Sequence, residues 1–397
     1  MLERRSFLFA LAAAGVSPAA LQSRARAASE GLDSALVLSG GGARGAYQAG
    51  LVGALAATAG IADGTPLAPY DLVCGTSIGA LNGWFVATAQ YRSLRELWYG
   101  ISAQQIMRLK PGYEALRDPE SGLLNRAAAA VRLFGLTRNQ SAVLQTEPVY
   151  DWIQRNVNPA VPLAMPLVWA VTNLTKQRPE YFFVSPNPGS GAVIERVTVA
   201  LRISLGPQTV VREATPDLLH RALLASAAIP IAFDPVEMPG PDGSVNEYCD
   251  GGVASNSPVG VAHAIARAAD VILLDPPFEG ENDYDDAVAV AFAAFGTVQR
   301  KLLEVEMRNA YFQSMGRRAL ARLTSAELGR VTRGSRSLAL YVQSVPETEL
   351  RYTRPTKPLP VSVVGFADAI GISKTYRAGW EDAARGFAPY DWETFVL

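Results

Sequence analysis

Ser77 stands in Gly75-Thr76-Ser77-Ile78-Gly79, a G-x-S-x-G run. Glycines on both sides leave room for a tight elbow between a strand and a helix, which projects the hydroxyl above a sheet. At the start of that helix, the dipole favours negative charge close to the serine. The chemistry this arrangement serves is nucleophilic attack by an activated hydroxyl. The five residues alone also describe an ordinary serine-bearing turn, so the weight falls on what else the chain supplies.

Two further glycine-rich pieces supply it. Gly40-Gly41-Gly42-Ala43-Arg44-Gly45 fits G-x-G-x-x-G and has two readings. One is a dinucleotide fingerprint, which would want an acidic residue ending the next strand to hold a ribose. The next strand instead runs straight into the Ser77 elbow. The other reading is a turn whose backbone N–H groups receive the oxyanion of a tetrahedral intermediate. The second fits the neighbourhood better. The third piece, Cys249-Asp250-Gly251-Gly252, places a carboxylate beside two glycines that permit close backbone approach. Alone, an Asp-Gly-Gly sequence is more often a plain turn.

A base is needed to activate Ser77, and the chain has only two histidines, His220 and His263. Both fall in apolar helical segments, a setting that suits structural roles. The remaining candidate is a carboxylate bonded directly to the serine hydroxyl, which points to Asp250. Free aspartate, with a pKa of about 3.9, is a weak base for an alcohol. Burial in an apolar pocket raises that value and strengthens the hydrogen bond.

The elements that must hold these pieces alternate. Ala35–Leu38 reads as a buried strand entering the glycine turn, Ala46–Ala59 as a helix, Tyr70–Cys74 as a second strand and Ser77–Thr88 as a second helix. That order implies a mostly parallel α/β sheet. Residues 94–157 read as largely helical, with a start at Thr146-Glu147-Pro148. Leu167–Asn173 and Tyr181–Val184 read as strands, and Val236–Met238 and Val245–Tyr248 flank a Pro-Gly-Pro-Asp-Gly turn. A helix over Val259–Ala268 then precedes a strand over Val271–Leu274. Ala287–Leu323 reads as a long helical region, and Leu338–Gln343 as a late strand. The acidic run Glu279–Asp286 lacks the spacing of a calcium loop and reads as a solvated surface.

Residues 1–27 read as a signal peptide: Arg4-Arg5-Ser6-Phe7-Leu8, a short apolar run, then small residues ending Ala25-Arg26-Ala27. The paired arginines resemble a twin-arginine export signal, which implies a periplasmic or secreted product. The net charge is −1 over 397 residues, and no basic run suggests nucleic acid or a polybasic membrane patch. Contact with a membrane would be peripheral. Scarce histidine and only two cysteines, Cys74 and Cys249, argue against a zinc site. Each cysteine precedes a candidate catalytic loop, so a disulfide between them is conceivable if their strands are neighbours.

Taken together, the pieces resemble the patatin-like phospholipases. The resemblance runs over about 36–261 and rests on Leu38–Gly50, on Gly75-Thr-Ser-Ile-Gly-Ala-Leu-Asn82, on Ala225-Ser-Ala-Ala-Ile-Pro230 and on Asp250-Gly-Gly252. It implies a three-layer α/β/α sandwich over 32–279 and cleavage of fatty acyl esters by a Ser77–Asp250 dyad without a cofactor or metal. Ser77 would attack the ester carbonyl and Asp250 would take its proton. Gly40, Gly41 and Gly42 would furnish the oxyanion N–H groups, and Arg44 would steady that loop or meet a lipid headgroup. Gly45, Gly75, Gly79, Gly251 and Gly252 would shape the turns. Residues 280–397 carry none of these motifs and read as a mainly helical extension on the same domain. A short-chain carboxylesterase, and a nucleotide-binding module using 40–45, are the competing functions.

Overall fold

A computed structural model describes residues 32–111, 142–186, 191–206, 208–275 and 287–395, apart from isolated positions between 334 and 364. The expected signal segment and the acidic run 279–286 lie outside the described residues, as do 112–141 of the expected helical middle.

Among the described residues ten strands form one sheet. Its main path is β10-β9-β8-β1-β2-β3-β4-β5, comprising β10 (Ala388–Pro389), β9 (Glu349–Thr353), β8 (Ala266–Ile272), β1 (Leu32–Leu38), β2 (Leu72–Thr76), β3 (Leu167–Asn173), β4 (Arg178–Val184) and β5 (Val210–Glu213). From β9 to β3 every neighbour is parallel. β3 and β4 form an antiparallel hairpin. A second hairpin, β6 (Val236–Pro239) with β7 (Val245–Asp250), joins the sheet through β7 against β3.

Alternation along the strands produces the layers, because successive side chains leave opposite faces of a sheet. Leu36, Leu38, Val73 and Trp169 enter one core, while Ala35, Val37, Cys74 and Val168 enter the other. On the first face lie α1 (Gly45–Thr58), α2 (Ile78–Ala87), α3 (Tyr91–Gly100), α4 (Glu147–Asn156) and α6 (Pro216–Ala227). The second carries residues of α5 (Gly191–Leu205), α7 (Val259–Ile265) and α8 (Ala287–Ala321). Helices on both faces of a mostly parallel sheet make the α/β/α sandwich. No helix among the described residues is long and apolar enough to cross a membrane.

Three elements differ from their sequence expectation. The helix beginning at Val259 stops at Ile265, and the alanine-rich run Ala266–Ala269 is strand, held between β1 and β9. Pairing on both edges overrides alanine's preference for helix. Leu338, Ala339, Tyr341 and Val342 are helical, and the late strand is β9 instead. The C-terminal stretch has helices, as expected, but it also completes the sheet with β9 and β10.

That stretch ends in α9 (Ala369–Asp382), which is bound tightly to α1. A Cβ on Gly379 would lie 1.9 Å from the Tyr47 carbonyl oxygen, and one on Gly50 would lie 1.9 Å from that of Tyr376. Two backbones in contact cannot yield as a flexible side chain can, so glycine is required at both. Gly379→Ala is therefore expected to cost about 1–3 kcal/mol through overpacking. An urea unfolding curve checks this, with Gly386→Ala unsuitable as a control because Gly386 has a positive φ.

Candidate active site

β2 is buried throughout and ends at Thr76, one residue before the elbow. Ser77 caps the N-terminus of α2 with φ 55° and ψ −126°, outside the ordinary regions for a residue with a side chain. Such strain persists only when its surroundings over-determine it. Here a Cβ on Gly75 would come within 2.4 Å of the Gly79 carbonyl oxygen, and one on Gly79 within 2.1 Å of that of Leu38. Both flanking glycines are thus demanded by close backbone approach. The Ser77 N–H donates to Ser226 Oγ at 2.9 Å, and Ser226 in turn donates to the Ala170 carbonyl at 2.7 Å.

β3 brings the carboxylate to the serine. Thr76 of β2 pairs with Ala170, and Asp250 of β7 pairs with Val171. β2 arrives parallel to β3 and β7 antiparallel, so their C-terminal ends meet on one edge. Asp250 is fully buried and Ser77 almost so. Oδ1 of Asp250 accepts the Gly252 N–H at 2.7 Å, and Oδ2 has no hydrogen-bond partner. The Ser77 hydroxyl faces the carboxyl closely enough to lower its pKa without reaching the geometry of a formed hydrogen bond. The two groups are adjacent. Burial dominates the balance and pushes Asp250 up to about 7, against the opposing influence of the nearby Ser77 hydroxyl and the Gly252 hydrogen bond.

The glycine loop corrects one expectation. Gly40 donates its N–H to the Asn256 carbonyl at 2.9 Å, so that group is already committed and Gly40 is not an oxyanion donor. Ala43 likewise donates to Val363. No described residue accepts from the N–H groups of Gly41 and Gly42. Arg44 also departs from a headgroup-binding role: its guanidinium pairs with Asp275 and does not line the cavity at Ser77. The pair links the glycine loop to Asp275. Gly45 opens α1, and its carbonyl accepts from Asn82 Nδ2 at 3.0 Å. Gly251 packs against the Ala170 carbonyl and Gly252 beside Gln299.

A narrow cavity of about 60 Å³ lies at Ser77 and Gly42. Ile78, Leu81, Ile106, Leu144, Val149, Trp152 and Phe233 form most of its wall, and Phe366 comes from the C-terminal stretch. The lining is almost entirely apolar.

Neither histidine joins the site. His220 Nε2 donates to the Val157 carbonyl at 2.7 Å, while His263 is buried beside Ser314 with its pKa lowered to about 4 by burial. Cys74 and Cys249 are both free. They sit opposite Val168 and Thr172 on β3, four residues apart. That is a separation of about 13 Å, too far for a disulfide. Among the described residues no group of three or more His, Cys, Asp or Glu could hold a metal ion.

A model of the patatin-like phospholipases matches residues 36–263, more than half of the chain. The chain belongs to the patatin-like phospholipase family. Membership of the patatin-like phospholipases implies lipid acyl hydrolysis in general. Among solved structures, the crystal structure of VipD from Legionella pneumophila is similar at 14% identity and a TM-score of 0.32. That likeness covers 89% of this chain and 66% of VipD, so the chain spans just under two thirds of VipD's length. A search of the curated proteins finds no match.

Several polar residues that hold this patatin-like site together escaped the sequence reading. Asn82 donates to Gln48 Oε1, Gln48 donates to the Ser39 carbonyl, and Trp98 donates to Asn82 Oδ1, all among buried side chains. Gln48, Asn82 and Ser226 lie within the family-like stretches, but no spacing rule assigns them a partner. The available signal was a polar side chain on an otherwise apolar helix face.

Asp250 yields a pH prediction. Its folded pKa, about 7, stands above the ordinary 3.8, so the folded state holds this proton more tightly than the unfolded chain does. The stability it contributes is complete below about pH 4 and is lost as pH rises through about 7. Asp250→Asn removes that loss. Thermal melts of both proteins should show the variant's relative Tm rising between about pH 4 and pH 7 and level above about pH 8.

Proposed function

We propose that the protein is a serine acyl hydrolase that cleaves fatty acyl esters of phospholipids, lysophospholipids or related lipids. The observation that carries this reading is a strained serine beside a buried carboxylate, at the wall of an apolar cavity. As substrate enters, Ser77 Oγ attacks the ester carbonyl and its proton passes to Asp250 Oδ2, the carboxylate oxygen that Gly252 leaves unoccupied. The new C–O bond moves the carbonyl electron pair onto oxygen, where the N–H groups of Gly41 and Gly42 stabilise it. Collapse expels the alcohol, which takes the proton back from Asp250. Water, losing a proton to the same carboxylate, then attacks the acyl-enzyme, and as the acyl–Oγ bond breaks Ser77 Oγ takes that proton back and the fatty acid is released.

A base with a pKa near the working pH balances proton affinity against availability, and burial gives Asp250 that value. The nucleotide-binding alternative is disfavoured by what crowds the glycine loop. A Cβ on Gly41 would meet Leu274, and one on Gly42 would meet the Val363 carbonyl, so these glycines answer to the chain itself. We also propose, from residues 1–27, that the protein is exported and works in the periplasm or beyond, with peripheral contact with membranes at most.

The test is hydrolysis of p-nitrophenyl esters from short to long acyl chains by wild type, Ser77→Ala and Asp250→Asn. The apolar cavity predicts activity that rises with chain length in wild type and a loss of about 1,000-fold or more in kcat in both variants. Activity confined to short esters favours a carboxylesterase, and turnover surviving Ser77→Ala removes the nucleophile.

A further inference from the structure

Glu306, on α8, reaches from outside the motif loops into the place where they join. Its Oε2 accepts the Ser257 N–H at 3.0 Å, and its Oε1 bonds Ser255 Oγ at 2.5 Å. The residue as a whole is partly exposed, whereas its carboxyl group is surrounded by protein. Gln299, seven residues earlier on the same face of α8, is buried against Gly252.

Residues 255–257 are a junction. The Ser255 carbonyl accepts from Thr76 Oγ1, the residue before Ser77, at 2.9 Å. The Asn256 carbonyl holds Gly40, and Ser257 Oγ bonds Ser39 Oγ at 2.7 Å. The N–H groups of Ala254 and Ser255 donate to the Gly251 carbonyl, within the Asp250 turn. All three loops of the site therefore hang on one short segment, and Glu306 fixes both of its serines.

We infer that Glu306 is a positioning residue that sets the Asp250 turn against the Ser77 elbow and the glycine loop. The kinetic consequence rests on the acyl-hydrolase reading; the structural one does not. Misplacement by about 1 Å costs roughly 100-fold in rate, so loosening this segment should be felt in kcat. Glu306 does not line the cavity, so KM should be spared. Burial pushes the Glu306 carboxyl up to about 8, against the hydrogen bonds from Ser255 and Ser257. Glutamine keeps an oxygen for the Ser257 N–H and offers its amide to Ser255 Oγ, whose hydroxyl turns from donor to acceptor.

The experiment compares wild type, Glu306→Ala and Glu306→Gln in ester turnover and in amide hydrogen exchange over residues 250–258. Glu306→Ala should lose roughly 10- to 100-fold in kcat with KM within about twofold, and the Ser257 amide should lose protection. Glu306→Gln should restore most of both. Unchanged kcat and protection in folded Glu306→Ala overturns the inference, and so does a Glu306→Gln variant as impaired as Glu306→Ala. If wild type turns over no ester, the hydrolase reading fails and exchange decides alone: protection lost in Ala and kept in Gln upholds the role, and any other pattern overturns it. Should Glu306→Ala not fold, Ser255→Ala, which removes one of the two bonds, takes its place under the same criteria.

Discussion

Thr76 and Asp250 occupy consecutive register positions on one edge of β3, opposite Ala170 and Val171. One strand delivers its residues from below and the other from above, and the two ends abut where a single continuous strand would otherwise run. That placement brings Ser77 and Asp250 together across a sequence separation no local motif could bridge. It is rigid because β3 is buried along its whole length and held on its other edge by β4. A slip of one residue in either pairing would turn the affected strand's side chains to the opposite layer. The two cores on either side of the sheet therefore protect the register, and the register places the carboxylate.

The same burial raises the proton affinity of the carboxylate. An aspartate in water is too weak a base for a serine hydroxyl, and desolvation at the sheet's centre moves it to about 7. One oxygen is held by Gly252 and the other is left open toward the serine. Leaving a buried acceptor unsatisfied costs stability. Together with the positive φ of Ser77, it places two costly local features at the candidate site. Strain of this kind is sustained by contacts elsewhere, among them Ser226 beneath the elbow and the backbone contact of α1 with α9.

Much of this was legible in the residues. Gly75 and Gly79 announced the elbow because close backbone packing admits no other residue there. The β1–β2 order placed the glycine loop beside it, and the shortage of histidine directed attention to Asp250. What escaped was set by tertiary contact. The preference of Ala266–Ala269 for helix gave way to pairing on both edges. Gly40 is indistinguishable in sequence from Gly41 and Gly42, and only the Asn256 carbonyl sets it apart. Glu306 reads as one more acid on a long helix, although the buried Leu303, Met307 and Ala310 mark the face beside it. Phe366 and Val363 reach the site from a stretch with no motif at all.

An experimental structure after reaction with a long-chain alkyl fluorophosphonate would show which atom is the nucleophile and where the oxyanion is held. A single adduct on Ser77 Oγ is expected, with its alkyl chain in the cavity walled by Leu81, Trp152 and Phe366. The phosphonyl oxygen should lie within hydrogen-bond distance of the Gly41 and Gly42 N–H groups, with Gly40 still bound to Asn256. An adduct on another residue, or an oxygen turned away from that loop, would contradict this assignment.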